Sequence, residues 1–404
     1  WGKLDFIDVS AGTNASMWSR AKHYPTIAEP YAPLVPMARA VKGAVPVPVF
    51  VVGKIDDPAR AAAVVNSGDA DAVVMVRAQI AEPELVGKIM RGAFDDIREC
   101  IYCNESCFGR QQRFGDITCV YNQRTGREGV WPPLKRSGRA RNVTIVGGGP
   151  AGLEAARVAA RKGHNVVLFE KAPVTGGQIR LAANTPTRGG YLKIVDWLDR
   201  QARRAGAEIR VGVAATAADV MATEPDAVFV ATGSADVGPE IVGRERANVH
   251  TGRQVLAGEA RLGRRIVVGD WDGRHQGTSV AEHLAELGHE VDLVSTAFFI
   301  GQDVDLLTWR PLYERLLKLG VRMHPLHEVV GVDDAGVRVK GLDHVVRTLA
   351  ADDVVLCSRG VAERSLYHEL EGHVRTLRAI GDCWAPRQLE QAIYEGAKNA
   401  RELD

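Results

Sequence analysis

The sequence predicts an α/β protein made of the C-terminal end of a TIM barrel followed by two tandem Rossmann-like nucleotide-binding folds. Short β-branched apolar runs alternate with helix-like stretches over residues 1–95. A strand, a Gly-rich turn, a helix and a second strand follow at 143–171, and a related pattern recurs at 264–295. Alternating strands and helices imply parallel strands joined by helical crossovers.

The composition sets limits on the class of protein. Hydrophobic residues make up 46% and charged residues 25% of the 404 residues, so a large buried core is expected. The formal charge of +1 gives no broad basic field, which argues against nucleic acid or an anionic membrane surface as a partner. No apolar run reaches the ~18–20 residues of a membrane helix, and there is no signal-peptide pattern. We therefore expect a cytoplasmic protein.

Three βα units are expected at the start of the chain. The predicted strands are 4–9, 47–52 and 71–76, and the predicted helices are 30–43, 57–67 and 82–92. Three parallel strands cannot close a barrel, so we expect residues 1–95 to be the end of a longer domain. Gly53, Lys54 and Arg77 follow the second and third strands. A glycine amide beside two cations suits a phosphate monoester, although such cations are more often simply solvated.

A cysteine-rich segment, expected over 96–135, comes next. Its spacing is C-x2-C-x3-C-x11-C, formed by Cys100, Cys103, Cys107 and Cys119. Three close cysteines and one distant cysteine favour a [4Fe–4S] cluster. Zinc sites more often pair two C-x2-C motifs. Zinc and plain thiols remain the alternatives, whereas disulfides do not suit the compartment.

The first nucleotide fold is expected over 140–255. Gly147, Gly149 and Gly152 form G-x-G-x-x-G between a strand and a helix, and Glu170 ends the next strand. The first glycine permits the turn, the second admits a pyrophosphate, and the third lets the helix pack closely. The acid suits ribose hydroxyls. A merely structural turn is the alternative.

Three later segments favour FAD over NAD in this first fold. Gly177 and Gln178 follow the ribose acid in a paired-glycine loop. Small-residue turns occur at 231–233 and at 381–382, and Asp382 is expected near the ribityl or pyrophosphate part. A helix from about residue 387 would direct its N-terminus there. Each segment alone is also compatible with an ordinary turn.

The second fold, expected over 256–350, has an altered turn, and 351–404 is expected to return to the first fold. The apolar runs 227–231 and 353–357 are expected to be the closing strands of the two nucleotide units. In GDWDGRHQG the glycines are spaced by four, and Trp271 stands where the close-approach glycine belongs. The next strand ends at Ser295 without an acid or a nearby cation for a ribose or its phosphate. A fold retained without its NAD(P) ligand is the favoured interpretation.

The order of these parts resembles the iron–sulfur flavoprotein branch of the old yellow enzyme family, which includes trimethylamine dehydrogenase and 2,4-dienoyl-CoA reductase. The segments that carry the resemblance are VVGKI, VMVRAQIAEPEL, DDIRECIYCNESC and GGGPAGLEAAR. It implies that the predicted cations and Gly53 hold FMN, that the four cysteines hold the cluster, and that the glutathione-reductase-like C-terminal half binds FAD or ADP. Five of the barrel's eight strands, roughly 150 or more residues, would be absent. The catalytic residues, expected in that part, stay unknown.

The resemblance leaves two classes of enzyme open. One is oxidative N-demethylation of a methylated amine or betaine through FMN, with electrons leaving by the cluster to an electron-transfer flavoprotein. The other is NADPH-dependent reduction of a 2,4-dienoyl-CoA or enoate. The altered second turn and the GDCWAPR segment favour the first, whereas the three-residue gap before Cys107 is similar to the reductase. An electron-transfer subunit is a third, non-enzymatic alternative. A small-molecule substrate and a homo-oligomer are expected.

Overall fold

The computed structural model describes residues 2–13 and 15–403. It divides into two compact units. The first comprises the described residues up to Trp131 together with Asp305–Pro311, and the second comprises Pro132–Val304 and Leu312 onwards. In the described part of the chain no helix is long and apolar enough to cross a membrane.

The first unit contains one three-stranded parallel sheet in the order β1-β2-β3. Its elements up to Trp131 are β1 (Ile7–Val9), α1 (Met17–His23), α2 (Val35–Lys42), β2 (Val49–Val52), α3 (Pro58–Asn66), β3 (Ala72–Val74), α4 (Val76–Ala81), α5 (Leu85–Met90) and α6 (Phe108–Gln111). Val49 and Val51 of β2 are buried, and they pack with residues of α2 and α3 to form the hydrophobic core around this sheet. All three predicted strands and the first two predicted helices are confirmed.

The third predicted helix, 82–92, is wrong in its extent. The structure has α4 directly after β3 and a separate α5, with Glu82 extended between them at φ −133° and ψ 91°. Glu82 precedes Pro83, whose ring disfavours a helical conformation in the preceding residue. The proline therefore delays the start of the predicted helix, which is shortened to α5, and α4 before it was not predicted.

The second unit contains two five-stranded parallel sheets, each with a Gly-containing turn between its first βα pair. Its strands are β4 (Asn142–Val146), β5 (Asn165–Glu170), β6 (Glu208–Val211), β7 (Ala227–Val230), β8 (Ser234–Ala235), β9 (Val249–Thr251), β10 (Arg265–Asp270), β11 (Glu290–Ser295), β12 (Arg322–Pro325), β13 (His327–Asp333), β14 (Gly336–Gly341), β15 (Val346–Leu349), β16 (Asp353–Cys357), β17 (Val361–Ala362) and β18 (Thr376–Ala379). Its helices are α7 (Pro150–Arg161), α8 (Gln178–Ala183), α9 (Leu192–Arg204), α10 (Ala217–Met221), α11 (Gly252–Leu256), α12 (His275–Glu286), α13 (Leu306–Lys318, starting in the 305–311 segment), α14 (Ser365–Leu370) and α15 (Leu389–Arg401).

The first sheet has the order β18-β7-β4-β5-β6, so β4 lies at its centre. The helix after β4, α7, is almost entirely buried because α9 and α15 both pack on it. Its alanines make this close packing possible, and a Cβ at Gly396 of α15 would lie 2.2 Å from the Ala151 carbonyl oxygen. The Gly-rich turn is therefore fixed between a central strand and a buried helix.

The second sheet has the order β12-β11-β10-β16-β9. It includes strands from Val249 to Cys357, a wider span than the expected 256–350. The expected closing strand at 353–357 is β16, paired with the central β10. An antiparallel sheet in the order β13-β14-β15, which the sequence reasoning did not predict, packs its valines against this sheet.

Candidate cofactor sites

The four cysteines of the first unit line one cavity. All four thiols are free. Burial raises the pKa of Cys100 to about 12 and that of Cys107 to about 11, and it raises the pKa of Cys103 well above its usual value. A thiolate here needs positive charge supplied from within the cavity, as iron supplies it.

Two short segments of this loop have the same local geometry. In Cys100-Ile101-Tyr102 the tyrosine N–H donates to the first sulfur at 3.4 Å. In Cys119-Val120-Tyr121 the corresponding distance from N–H to sulfur is also 3.4 Å. Backbone donors directed at sulfur stabilise the negative charge of thiolate ligands. The sequence reasoning missed this Cys-x-Tyr pairing, although both copies are visible in the sequence.

The donor set fits a polynuclear iron–sulfur group. Four thiols around a shared cavity, with N–H donors on their sulfurs, are the ligand chemistry that such clusters use. Among the described residues, no three His, Cys, Asp or Glu side chains are grouped so as to hold a single metal ion. Cys100, Cys103, Cys107 and Cys119 remain predicted as cluster ligands.

The predicted phosphate cations lie beside this loop in the first unit. Gly53 has a φ of 117°, which only glycine adopts readily, and Lys54 follows at φ 49°. The Lys54 ammonium donates to the Thr26 carbonyl at 2.8 Å and the Ile27 carbonyl at 3.0 Å, and it also bonds the Glu29 carbonyl. Its three donors are thus used within the chain, which argues against the ammonium itself as the phosphate donor.

Arg77 also makes contacts within the first unit. Its Nη1 donates to the Pro25 carbonyl at 2.7 Å and to Asn104 Oδ1 at 2.8 Å. Its guanidinium lies 4.6 Å from the centre of the Tyr102 ring and lines the cysteine cavity. Burial, together with the neighbouring Arg77 cation, lowers the pKa of Lys54 to about 8. Whether these residues bind FMN stays a prediction.

The three glycines of the first nucleotide turn differ in what surrounds them. A Cβ at Gly147 (φ 111°) would lie 2.2 Å from the Ala231 carbonyl, and one at Gly152 would lie 1.9 Å from the Gly147 carbonyl. A Cβ at Gly149 would meet no atom within 4 Å. The first and third glycines therefore serve the packing of the turn. The second faces open space at the start of α7, which fits the approach of a pyrophosphate.

The other predicted residues of this fold come together around the same turn. Glu170, at the end of β5, accepts from the Gly148 N–H at 2.6 Å and the Ala172 N–H at 2.8 Å. Each carboxylate oxygen can accept a second hydrogen bond, so ribose hydroxyls are not excluded. A Cβ at Gly177 would lie 3.3 Å from the Gly149 Cα. Gly177 therefore lies close to the Gly149 backbone.

Gln178 and Asp382 join this cluster across 204 positions of sequence. The Gln178 amide donates to Asp382 Oδ2 at 3.1 Å and to Ser234 Oγ at 3.2 Å. Asp382 precedes α15, and its other oxygen accepts from the Arg387 N–H at 3.2 Å. Ser234 was not predicted; its position directly after the 231–233 turn was the available signal. Together these residues fit FAD or ADP in the first fold.

The second turn is filled by its own side chains. Asp270 Oδ1 accepts from the Asp272 N–H at 3.0 Å and from the Gly273 N–H at 3.2 Å. These are turn amides that a pyrophosphate would need. A Cβ at Gly269 would lie 2.6 Å from the Trp271 ring, so the indole covers the end of β10. Burial raises the pKa of Asp270 to about 6. The residues present do not fit an NAD(P) pyrophosphate.

Comparison with known families places the second unit. A profile described as "Pyridine nucleotide-disulphide oxidoreductase" matches residues 141–374, which is more than half of the 404-residue chain. The chain belongs to the pyridine nucleotide-disulphide oxidoreductase family. The match covers both five-stranded parallel sheets apart from the last strand of the first, β18.

Longer matches connect this oxidoreductase to enzymes that contain both units. It is 34% identical to an NADH oxidase of Thermoanaerobacter brockii, over 98% of the chain and 61% of that protein. It is 31% identical to an N,N-dimethylglycine/sarcosine dehydrogenase of Chromohalobacter salexigens, over 100% of the chain and 64% of that protein. The solved structure of a 2-naphthoyl-CoA reductase matches with a TM-score of 0.92 and 27% identity, over 99% of the chain and 60% of that chain.

The chain thus spans about three fifths of the length of these relatives. Their names are those of oxidoreductases, and the matches are consistent with the resemblance to flavoenzymes that act on methylated amines or on unsaturated acyl groups.

Proposed function

We propose that this chain is part of an iron–sulfur flavoprotein that oxidatively demethylates a methylated amine or betaine. The likeness to a dimethylglycine/sarcosine dehydrogenase supports the substrate class. The proposed cofactors are FMN at the barrel end near Gly53 and Arg77, a [4Fe–4S] cluster on the four cysteines, and FAD or ADP in the first nucleotide fold. An electron-transfer flavoprotein is the proposed acceptor, and the protein is proposed to be a cytoplasmic homo-oligomer.

The proposed reaction balances as a two-electron oxidation. An N-methyl group and one water give formaldehyde and the smaller amine, with release of two electrons and two protons. Bound FMN supplies the two-electron acceptor, and the cluster supplies one-electron relay. The chain's own residues would hold the cofactors: the cysteine sulfurs with their N–H donors would hold the cluster, and the Gly149 turn would hold FAD or ADP. The buried rings of Tyr102 and Tyr121 exclude water from the cysteine cavity.

The observation that carries the proposal is the filled second turn. Asp270 takes the turn amides, and Trp271 covers the end of β10. A reductase that draws electrons from NADPH needs this turn to receive a pyrophosphate. An amine dehydrogenase draws its electrons from its substrate and has no such need. The second fold is then a retained scaffold.

A second candidate is an NADPH-dependent 2,4-dienoyl-CoA or enoate reductase. The likeness to a 2-naphthoyl-CoA reductase favours it, as does the three-residue gap between Cys103 and Cys107. In this candidate the electrons run in the opposite direction, from nicotinamide to FMN and then to an unsaturated acyl thioester.

An anaerobic titration separates the two candidates. The full-length, reconstituted protein is mixed with NADPH or NADH, and then separately with dimethylglycine, sarcosine or dimethylamine, while flavin absorbance is followed. Demethylation predicts bleaching by at least one N-methylated amine and none on the same timescale by either nicotinamide. Rapid bleaching by NADPH with no response to any amine would establish the reductase instead. Extracted cofactors are identified and iron is counted in the same sample.

A further inference from the structure

Tyr102 has an unusual environment between two of the predicted cluster ligands. Its side chain is 2% exposed, and its hydroxyl is buried without a hydrogen-bond partner in the described structure. A buried phenol normally finds a partner, because an unpaired polar group is costly to bury. Tyr102 lines the same cavity as the four cysteines. The hydrogen-bond partner of the Tyr102 hydroxyl is therefore expected to belong to a group that binds in this cavity.

The backbone at Tyr102 indicates that this side chain is held there at a cost. Its φ is 56°, a left-handed conformation that a bulky residue adopts rarely and glycine adopts freely. Strain of this kind is concentrated at functional sites, where the surroundings enforce it. Here the surroundings are two cations, with Arg77 4.6 Å and the Lys54 ammonium 5.5 Å from the ring centre.

We propose that the Tyr102 hydroxyl donates a hydrogen bond to a sulfide of the [4Fe–4S] cluster and so raises the cluster's reduction potential. The inference rests on the proposed function, which supplies the cluster. Reduction adds negative charge to the sulfurs, so a donor stabilises the reduced form more than the oxidised form. Tyr102 acts as a positioning and tuning residue and not as a ligand.

Tyr121 offers a matched control. It also lies two residues after a predicted ligand, donates its N–H to that sulfur at 3.4 Å, lines the cavity and is buried at 3% exposure. Its hydroxyl does not belong to the buried atoms that lack a partner. Tyr121 is thus at the same spacing from a predicted ligand as Tyr102, but it lacks the unpartnered buried hydroxyl on which the inference depends.

The test is an EPR-monitored redox titration of the full-length holoenzyme with Tyr102→Phe and Tyr121→Phe. We expect Tyr102→Phe to lower the equilibrium constant for cluster reduction about tenfold, which is about 59 mV for one electron. Tyr121→Phe should leave the potential close to that of the wild type. Equal potentials in Tyr102→Phe and the wild type would overturn the inference, as would equal shifts in the two variants.

A second measurement applies if Tyr102→Phe fails to assemble the cluster. In wild-type protein exchanged into D2O, pulsed EPR on the reduced cluster should detect a coupled deuteron beyond the backbone amides. Parallel samples that contain ring-deuterated tyrosine identify the deuteron coupling that comes from the tyrosine ring itself. Absence of the exchangeable coupling contradicts the inference. Wild-type protein that contains no iron–sulfur signal at all contradicts the proposed function instead, so the two failures are distinguishable.

Discussion

The Gly-rich turn of the first nucleotide fold permits a paired test of its second and third glycines, Gly149 and Gly152. At Gly152 an added Cβ would lie 1.9 Å from the Gly147 carbonyl oxygen, whereas ordinary contact begins at 3.4 Å. The difference, 3.4 − 1.9 = 1.5 Å, is a displacement that backbone on both sides must absorb. At Gly149 the same Cβ meets nothing within 4 Å. The two substitutions therefore add the same methyl group, in one case against packed backbone and in the other into open space.

Gly152→Ala should destabilise the fold, and Gly149→Ala should not. Overpacking of a closed core costs about 1–3 kcal/mol, and a backbone clash belongs at the upper end, ~3 kcal/mol. For a unit of this size that lowers Tm by roughly 6–12 °C. Gly149→Ala should leave the Tm of the dinucleotide-free protein within a degree or two. It should weaken FAD or ADP binding by about 10–100-fold, because the methyl group takes the place of a phosphate contact.

The assay is thermal unfolding of the dinucleotide-free protein followed by calorimetric titration with ADP and FAD. If Gly149→Ala lowers Tm as much as Gly152→Ala, the open space at Gly149 is not open in solution. If Gly149→Ala binds both nucleotides with wild-type affinity, the turn does not receive the pyrophosphate. Either result would refute the reasoning.

Three further predictions follow from other sites. Cys103→Ser should remove the iron and the visible absorbance of the cluster, whereas Cys383→Ser, remote in sequence from the cysteine loop, should retain both; equal iron loss by metal analysis would contradict the ligand assignment. Asp270, whose buried carboxyl has a pKa of about 6 in the folded state against 3.8 unfolded, binds its proton more tightly when folded, so stability should fall by ~3 kcal/mol as pH rises from about 4 to above 6. Urea unfolding across that range should show this slope in the wild type and a flatter one in Asp270→Asn, and an unchanged slope would show that the carboxyl is solvated. Lys54→Met should lower the free energy of unfolding by about 3 kcal/mol, since it leaves three backbone carbonyls without their buried donor, and a loss below ~1 kcal/mol would show that water replaces the ammonium there.

Much of the fold was predictable because its signals are local. Strand β16 was predicted at its observed bounds, 353–357, because a buried parallel strand is a continuous apolar run. Helix α15 begins at Leu389, close to the start predicted at about residue 387. The antiparallel strands from His327 to Leu349 escaped prediction, since they mix buried valines with exposed charges without a clear period. The helix predicted from residue 82 begins only after Pro83, so here a local signal was present and overlooked.

The sequence by itself determined which chemistry each segment carries. Cysteine spacing indicates a cluster, and G-x-G-x-x-G followed by Glu170 indicates a dinucleotide, because these patterns constrain residues close along the chain. Only the tertiary structure decided what lies beside what. It brought Gln178 to Asp382 across 204 positions, used the Lys54 ammonium to bind backbone carbonyls, and buried the Tyr102 hydroxyl without a hydrogen-bond partner. Those relations depend on side chains that meet only after strands pair and helices pack, and no local pattern in the sequence encodes them.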